Sequence, residues 1–240
     1  MSDLSQHITT TQTTHCCPRH DRPHRVVEYR RQKEIDYLCY AAWLPNVRIL
    51  VPHVPDNILL DYIRRAAIEF ATRTAILTRN ISLDIQDGVA DYWPCLGGEE
   101  RIGRVRLLSI GGHCYKPVGH TCSWELSCGH FWFHPPNSLE IHPPPRECAT
   151  VILTVDAVPS ETSSQCDHLL HDRYFEAIAA YAAAQAALIP PMDDSDNIIP
   201  QNAGLYQMHM GRFNAGVNRA KVDQVKHFSD TVQSWGQHDR

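Results

Sequence analysis

The stretch "NILLDYIRRAAIEFATRTAIL", residues 57–77, carries the strongest fold signal in the chain. Its apolar residues recur at spacings of three and four, which places them on one face of an α-helix. Pro52 and Pro55 precede it and favour extended backbone, while the Asp56 carboxylate can accept hydrogen bonds from the first helical amides. The sequence therefore predicts a helix over residues 57–77, capped by Asp56 and packed in the core through one face. That face consists of Leu59, Ile63, Ala66, Ala67 and Phe70.

After this helix the apolar period changes to two, which is the period of a β-strand. Residues 80–85 (NISLDI) and 89–94 (VADYWP) flank the turn-forming residues QDG, so they predict a β-hairpin. Three further runs rich in β-branched residues follow, separated by segments rich in glycine and proline. These runs are residues 104–110, 138–142 and 149–158. We therefore expect an antiparallel β lobe over residues 80–160.

Two more helices are predicted beyond the β lobe. Residues 168–189 are rich in alanine, which has the highest helix propensity, and Pro190 and Pro191 stop the helix. A last amphipathic helix begins near Asn202 and runs to about Phe228. The predicted fold class is α+β. Three helices form a small bundle, and the antiparallel β lobe is inserted between the first and the second of them.

The chain divides into three regions by composition. Residues 1–45 begin with a polar stretch that has no apolar period, and they are interpreted as a partly flexible N-terminal arm. Residues 46–200 hold the first two helices and the β lobe, and they form the predicted core. Residues 201–240 hold the last helix and a tail, and they follow the acidic connector MDDSDNIIPQ.

Composition excludes several classes of protein. With 43% hydrophobic and 20% charged residues, the chain has the balance of an ordinary globular protein. Its net charge of −5 argues against a strongly basic nucleic-acid binder. The longest apolar run, AIAAYAAAQAALI, is shorter than the roughly 18 residues that span a bilayer, so no membrane partner is expected. The nine cysteines are an odd number without a secretory signal, which favours reduced thiols.

Residues 112–134 are rich in cysteine and histidine and raise the question of a metal site. His120 and Cys122 would share one face of a strand, and Cys128 and His130 would share a face of a partner strand. A Cys2His2 zinc site is therefore geometrically possible. However, no C-x-x-C pair is present, and the aromatic residues of the segment give it a plain packing role. We expect a structural or contact element that needs no metal or cofactor, with these four residues as weak metal candidates.

Catalytic motifs are missing from the whole chain. It contains no Walker loop, no G-x-S-x-G elbow, no H-E-x-x-H pair and no dinucleotide fingerprint. No catalytic or cofactor-binding residue is assigned on this basis, and we expect the protein not to be an enzyme.

Several segments together carry a family resemblance. They are residues 44–74, beginning LPNVRILVPHVPDNILLDYIRRAAIEF, residues 173–191, RYFEAIAAYAAAQAALIPP, and residues 203–228, AGLYQMHMGRFNAGVNRAKVDQVKHF, with the strand runs between them. The set resembles the head-to-tail adaptor proteins of tailed bacteriophages, connectors similar to tail tubular protein A, over about residues 44–230. The resemblance implies a ring, usually twelve-fold, beneath the portal of a filled head. Its helices would lie against the portal and its β domains would face the tail.

The resemblance also implies the partners and the location. They are further copies of the chain in a homo-oligomeric ring, the portal protein, a distal tail or nozzle protein, and double-stranded DNA that passes through the lumen without being read. The protein would be part of the virion neck or tail and would assemble in the host cytoplasm. Two alternatives stay open at this point: a metal-binding or tail-associated hydrolytic enzyme, and a head-closure or capsid decoration protein.

The last helix is the predicted docking element, because adaptors of this kind insert a terminal helix between portal subunits. Its apolar stripe lies between basic residues, which suits docking into an acidic groove. The predicted portal or ring interface consists of Tyr206, Met210, Arg212, Phe213, Val217, Arg219, Lys221 and Lys226. The alternative is that this helix completes the core of its own subunit, as amphipathic helices usually do.

Overall fold

A computed structural model describes residues 35–111, 113–118, 129–190 and 202–235, with side chains of the last helix described up to residue 225. In chain order the helices and strands are β1 (Tyr37–Cys39), a 3-10 helix (Tyr40–Trp43), α1 (Leu44–Leu50), α2 (Asp56–Thr74), β2 (Thr78–Ile85), β3 (Asp91–Tyr92), β4 (Glu100–Ile110), β5 (His113–Pro117), β6 (His130–His134), β7 (Ser138–His142), β8 (Ala149–Pro159), β9 (Gln165–Asp167), α3 (His168–Ala186) and α4 (Ala203–Trp235). The fold class is α+β, as predicted. Among the residues described, no helix is both long and apolar enough to cross a membrane.

The predicted core helix is α2, and its buried face is confirmed. All five residues of the predicted face are fully buried. The helix begins one residue earlier than predicted and ends three residues earlier, at Thr74; the next residue, Ala75, has a left-handed backbone with φ 50°. The predicted cap is wrong, because Pro55 occupies the N-cap position and Asp56 is the first helical residue. The Asp56 carboxylate instead forms an exposed ion pair with Arg48 of α1.

The seven-stranded sheet has the order β2-β8-β4-β5-β6-β7-β3 and is mostly antiparallel. The antiparallel prediction is wrong for one pair, since β5 and β6 run parallel. The predicted hairpin of residues 80–85 and 89–94 is also wrong: β2 pairs with β8 along its whole length, and β3 pairs with β7. The long apolar strand β8 offers eight paired residues to β2, whereas β3 has only two residues. Tertiary pairing therefore overrides the local turn signal.

Helices and sheet share one hydrophobic core. A single cluster of buried residues runs from α1 and α2 through α3 and α4 into β2, β4 and β8. The Phe70 ring of α2 lies 4.9 Å from the ring of Tyr174 in α3 and 6.1 Å from that of Phe213 in α4. The seven strands of the large sheet lie between α2 and α3 in the chain, and buried residues of β2, β4 and β8 continue the core of the helices.

Part of the predicted N-terminal arm belongs to the packed structure. Strand β1 pairs with β9, and Tyr40 and Trp43 of the 3-10 helix are buried. The Tyr40 hydroxyl lies 2.9 Å from the Ser163 Oγ in a buried hydrogen bond. Residues 1–34 of the arm and residues 119–128 of the cysteine- and histidine-rich segment lie outside the described residues.

Candidate functional site

The predicted docking stripe on α4 faces the core of its own subunit. Phe213 and Val217 are buried, and Tyr206 and Met210 are half-buried. The Phe213 ring lies 4.8 Å from the ring of Tyr181 in α3. This apolar stripe therefore stabilises the single chain, which is the alternative that the sequence left open. A direct role of its buried members in portal binding stays a prediction.

The approach of α4 to α3 is close because small residues meet at the crossing. A Cβ atom on Gly216 would lie closer than 3.0 Å to the Cβ of Ala177 and 3.6 Å from its Cα. Only glycine at this position allows the observed distance between the two helices. The alanine-rich composition of α3 thus has a structural purpose, which is to let α4 pack against it.

Polar contacts fix the same face of α4 along its length. Gln224 donates a 2.8 Å hydrogen bond from Nε2 to the carbonyl oxygen of Ala75, at the end of α2. The Tyr174 hydroxyl donates to the Asp223 carboxylate at 3.2 Å. His209 is also buried on this face, and burial, with the nearby Arg212 charge as a second cause, lowers the pKa of its imidazole. Burial therefore favours the neutral form of His209.

The opposite, outward face of α4 carries a second apolar pattern. Met208, Val222 and Val225 are 44%, 54% and 68% exposed. Together with three exposed small or amide residues they form a sequence of positions separated alternately by three and four residues, as in the seam of a coiled coil. We call this set the outer seam, and it consists of Met208, Gly211, Ala215, Asn218, Val222 and Val225. A Cβ atom added at Gly211 would meet nothing within 4 Å.

Basic residues flank the outer seam. Arg212 and Arg219 lie on one side of it at a spacing of seven residues, and Lys221 lies on the other side, as the 3.6-residue helical period requires. All three are exposed. The side chain of Lys226 lies outside the described range. The sequence contained the 3-4 spacing of the outer seam, but the larger aromatic and aliphatic residues of the inner stripe gave the stronger signal.

Exposed apolar residues elsewhere in the described part of the chain include two smaller patches. Ile49 and Leu50 lie at the end of α1, next to the end of α3, where His53 Nε2 lies 3.1 Å from the carbonyl oxygen of Ile189. Val89 and Trp93 lie in the segment that follows β2. Eight residues of β2, about 26 Å of strand at 3.3 Å per residue, separate the start of this segment from the junction with α2.

The predicted zinc candidates are only partly within the described structure. His120, Cys122 and Cys128 lie outside the described residues, so the proposed Cys2His2 arrangement stays a prediction. His130 lies in β6 directly opposite His142 of β7. Its Nδ1 atom is buried and has no hydrogen-bond partner among the residues described.

A buried thiol and the buried charges of the described core have structural roles. Burial raises the pKa of the Cys166 thiol to about 12, which keeps it protonated and unsuited to nucleophilic attack. The Arg79 guanidinium pairs with Glu100 at 2.7 Å and with Asp167 at 2.5 Å. This ion-pair cluster links β2, β4 and β9 at the base of α3.

Comparison with known proteins identifies the family of the chain. No curated protein matches the chain. The model of the SU10 adaptor protein family matches residues 40–234, from the 3-10 helix to the last turn of α4. The match therefore includes α2, the complete seven-stranded sheet, α3 and nearly all of α4. The chain belongs to the SU10 adaptor protein family, a family of phage head-to-tail adaptors.

Proposed function

We propose that the chain forms a dodecameric ring beneath the portal, connects the DNA-filled head to the tail and lines the DNA channel. It acts as a structural protein of the virion neck and not as an enzyme, and it assembles in the host cytoplasm. Family membership supports the adaptor role. The observation that carries the docking part of the proposal is the outer seam, because α4 has a second apolar face after its first face is already packed.

The outer seam suits a partner helix. Its small residues, Gly211 and Ala215, let another backbone approach closely, while Met208 and Val222 supply apolar contact area. Full burial of a valine or methionine side chain contributes roughly 1.5–3 kcal/mol relative to exposure. The flanking Arg212, Arg219 and Lys221 favour a partner with acidic residues beside its apolar stripe. We assign this surface to the portal.

The two smaller apolar patches are assigned to the remaining contacts. Ile49 and Leu50 lie beside the helix ends, so we place them at contacts between neighbouring subunits of the ring. Val89 and Trp93 lie at the far end of β2, so we place them toward the tail or nozzle protein. Double-stranded DNA passes without sequence readout, and the net charge of −5 disfavours tight binding of its phosphates.

A pair of charge substitutions tests the docking surface. Val222→Asp places a carboxylate in the outer seam and should abolish binding to the cognate portal. Ile152→Asp is the matched control, because Ile152 is 62% exposed and lies on strand β8 rather than on α4. It should bind like the wild type. Both variants should melt close to the wild-type temperature, since neither residue is in the core. Unchanged portal binding by Val222→Asp would remove the outer seam from the proposal. If the wild-type chain does not bind the portal, a head-closure or decoration protein would be favoured instead.

A further inference from the structure

The first turn of α3 brings two imidazoles and one carboxylate together. His168, His171 and Asp172 occupy helix positions i, i+3 and i+4, which share one face. The His168 Nδ1 lies 2.9 Å from one Asp172 oxygen, and the His171 Nδ1 lies 4.0 Å from the other. One potential ligand atom from each side chain lies within 4.8 Å of the other two.

The backbone that carries these residues is held in place. The Asp167 carboxylate accepts a 2.8 Å hydrogen bond from the Leu169 amide and caps the helix. The His168 amide donates a 2.8 Å hydrogen bond to the carbonyl oxygen of Asp36, next to β1. Sites built on such a fixed turn need little reorganisation to bind an ion.

The imidazole of His171 is also oriented by packing. Its ring lies edge-on to the buried Trp43 ring at 4.8 Å and to the Phe175 ring at 5.1 Å. It also lies parallel to the His168 ring at a centroid distance of 6.0 Å. A polar contact between His168 and Asp172 accounts for two of the three side chains. The packing of His171 against Trp43 and Phe175 places a third nitrogen donor next to the same carboxylate.

We propose that His168, His171 and Asp172 bind one divalent transition-metal ion of the zinc type. Two neutral imidazoles and a carboxylate are ligands that such ions prefer. Bonds of about 2.0–2.1 Å in a tetrahedron place ligand atoms about 3.3 Å apart, so side-chain rotations that move the most distant atom by roughly 1.5 Å complete the site. All three side chains are partly exposed, which leaves the fourth position for water. The bound ion would join the start of α3 into one rigid turn.

This site differs from the cysteine- and histidine-rich segment and from the expectation that the protein needs no metal. It does not depend on the proposed docking function. The signal was present in the sequence as H-x-x-H-D. Without the structure, however, it is indistinguishable from an ordinary polar first turn of a helix.

Zinc titration of the full chain tests the site. Because other residues among the 15 histidines and nine cysteines can also bind zinc, the site is measured as the difference between the wild type and its variants. Calorimetric titrations with zinc, and the visible spectrum after titration with cobalt, are compared among the wild type, His168→Gln and Asp172→Asn. His142→Gln is the matched control, since His142 forms a similar pair with Glu140 at 2.7 Å outside the three-residue site.

We expect His168→Gln and Asp172→Asn to lose one equivalent of bound zinc, or to bind it at least about tenfold more weakly. The His142→Gln variant should titrate like the wild type. Unchanged zinc stoichiometry and affinity in both site variants would overturn the proposal and leave only the polar contact between His168 and Asp172. Asp172→Asn preserves the shape of the side chain, so it decides the question if His168→Gln fails to fold. Circular dichroism without metal identifies such a failure.

Discussion

Two glycines of α4 provide a matched test of how the helix is packed. Gly216 lies at the crossing with α3, where an added Cβ would be closer than 3.0 Å to the Ala177 Cβ. Gly211 lies in the outer seam, where an added Cβ would contact nothing within 4 Å. Each glycine is replaced by alanine. Both variants gain about 0.8–1.0 kcal/mol from the higher helix propensity of alanine.

Only the Gly216→Ala variant also loses packing energy. Ala177 has no rotatable side chain, so the overlap can be relieved only by moving α4 away from α3. Overpacking of this kind costs about 1–3 kcal/mol. The propensity gain is common to both variants and cancels in their difference. Gly211→Ala should therefore be more stable than Gly216→Ala by about 1–3 kcal/mol, which corresponds to about 2–12 °C in melting temperature for a chain of this size.

The assay is thermal unfolding followed by circular dichroism, with both variants at the same concentration and without portal. Gly211→Ala should melt above the wild type. If Gly216→Ala melts at the same temperature as Gly211→Ala or higher, then α4 does not pack on α3 through its inner face. The distinction between an inner and an outer face of α4 would then be lost.

Two further predictions concern buried titratable and charged side chains. Burial lowers the pKa of His209 in the folded chain, so the unfolded chain binds a proton at this imidazole more strongly than the folded chain does. The contribution of His209 to the free energy of unfolding is therefore complete above about pH 6.5, the pKa of an unperturbed histidine, and declines as the pH falls below it. Urea midpoints measured from pH 7.5 to 5.5 should fall less steeply for His209→Gln than for the wild type, and equal slopes would contradict this. Arg79→Met leaves the carboxylates of Glu100 and Asp167 buried without their cation and should cost about 3–5 kcal/mol in urea unfolding, whereas Arg48→Ala removes only an exposed ion pair and should unfold like the wild type. Arg79→Met with wild-type stability would show that the cluster is not structural.

Local patterns predicted the helices well because their information lies within one turn. The buried face of α2 follows from spacings of three and four around Phe70, and no distant residue is needed to recognise it. Strand pairing depends on residues far apart in the chain, since β2 pairs with β8, about 70 residues away, and not with the adjacent β3. A single sequence shows that residues 80–85 form a strand, but it does not show which strand offers the longer ladder.

The surfaces of α4 show a second limit of sequence reasoning. The helix has two apolar stripes, the inner stripe and the outer seam, and each has a clear helical period. Which of the two faces the core depends on the surface of α3, in particular on the small residue Ala177, which lies against Gly216. The sequence-based interface combined buried residues such as Phe213 with exposed residues such as Arg212. The three-dimensional fold separates them.

Electron cryo-microscopy of the full chain bound to its cognate portal shows both the ring and its contacts in one experiment. We expect a closed ring of twelve copies beneath the portal, with Val222 and the rest of the outer seam in contact with a portal helix and Phe213 buried within its own subunit. A chain that remains monomeric at saturating portal would contradict the proposed adaptor ring, and so would a ring whose outer seam faces solvent.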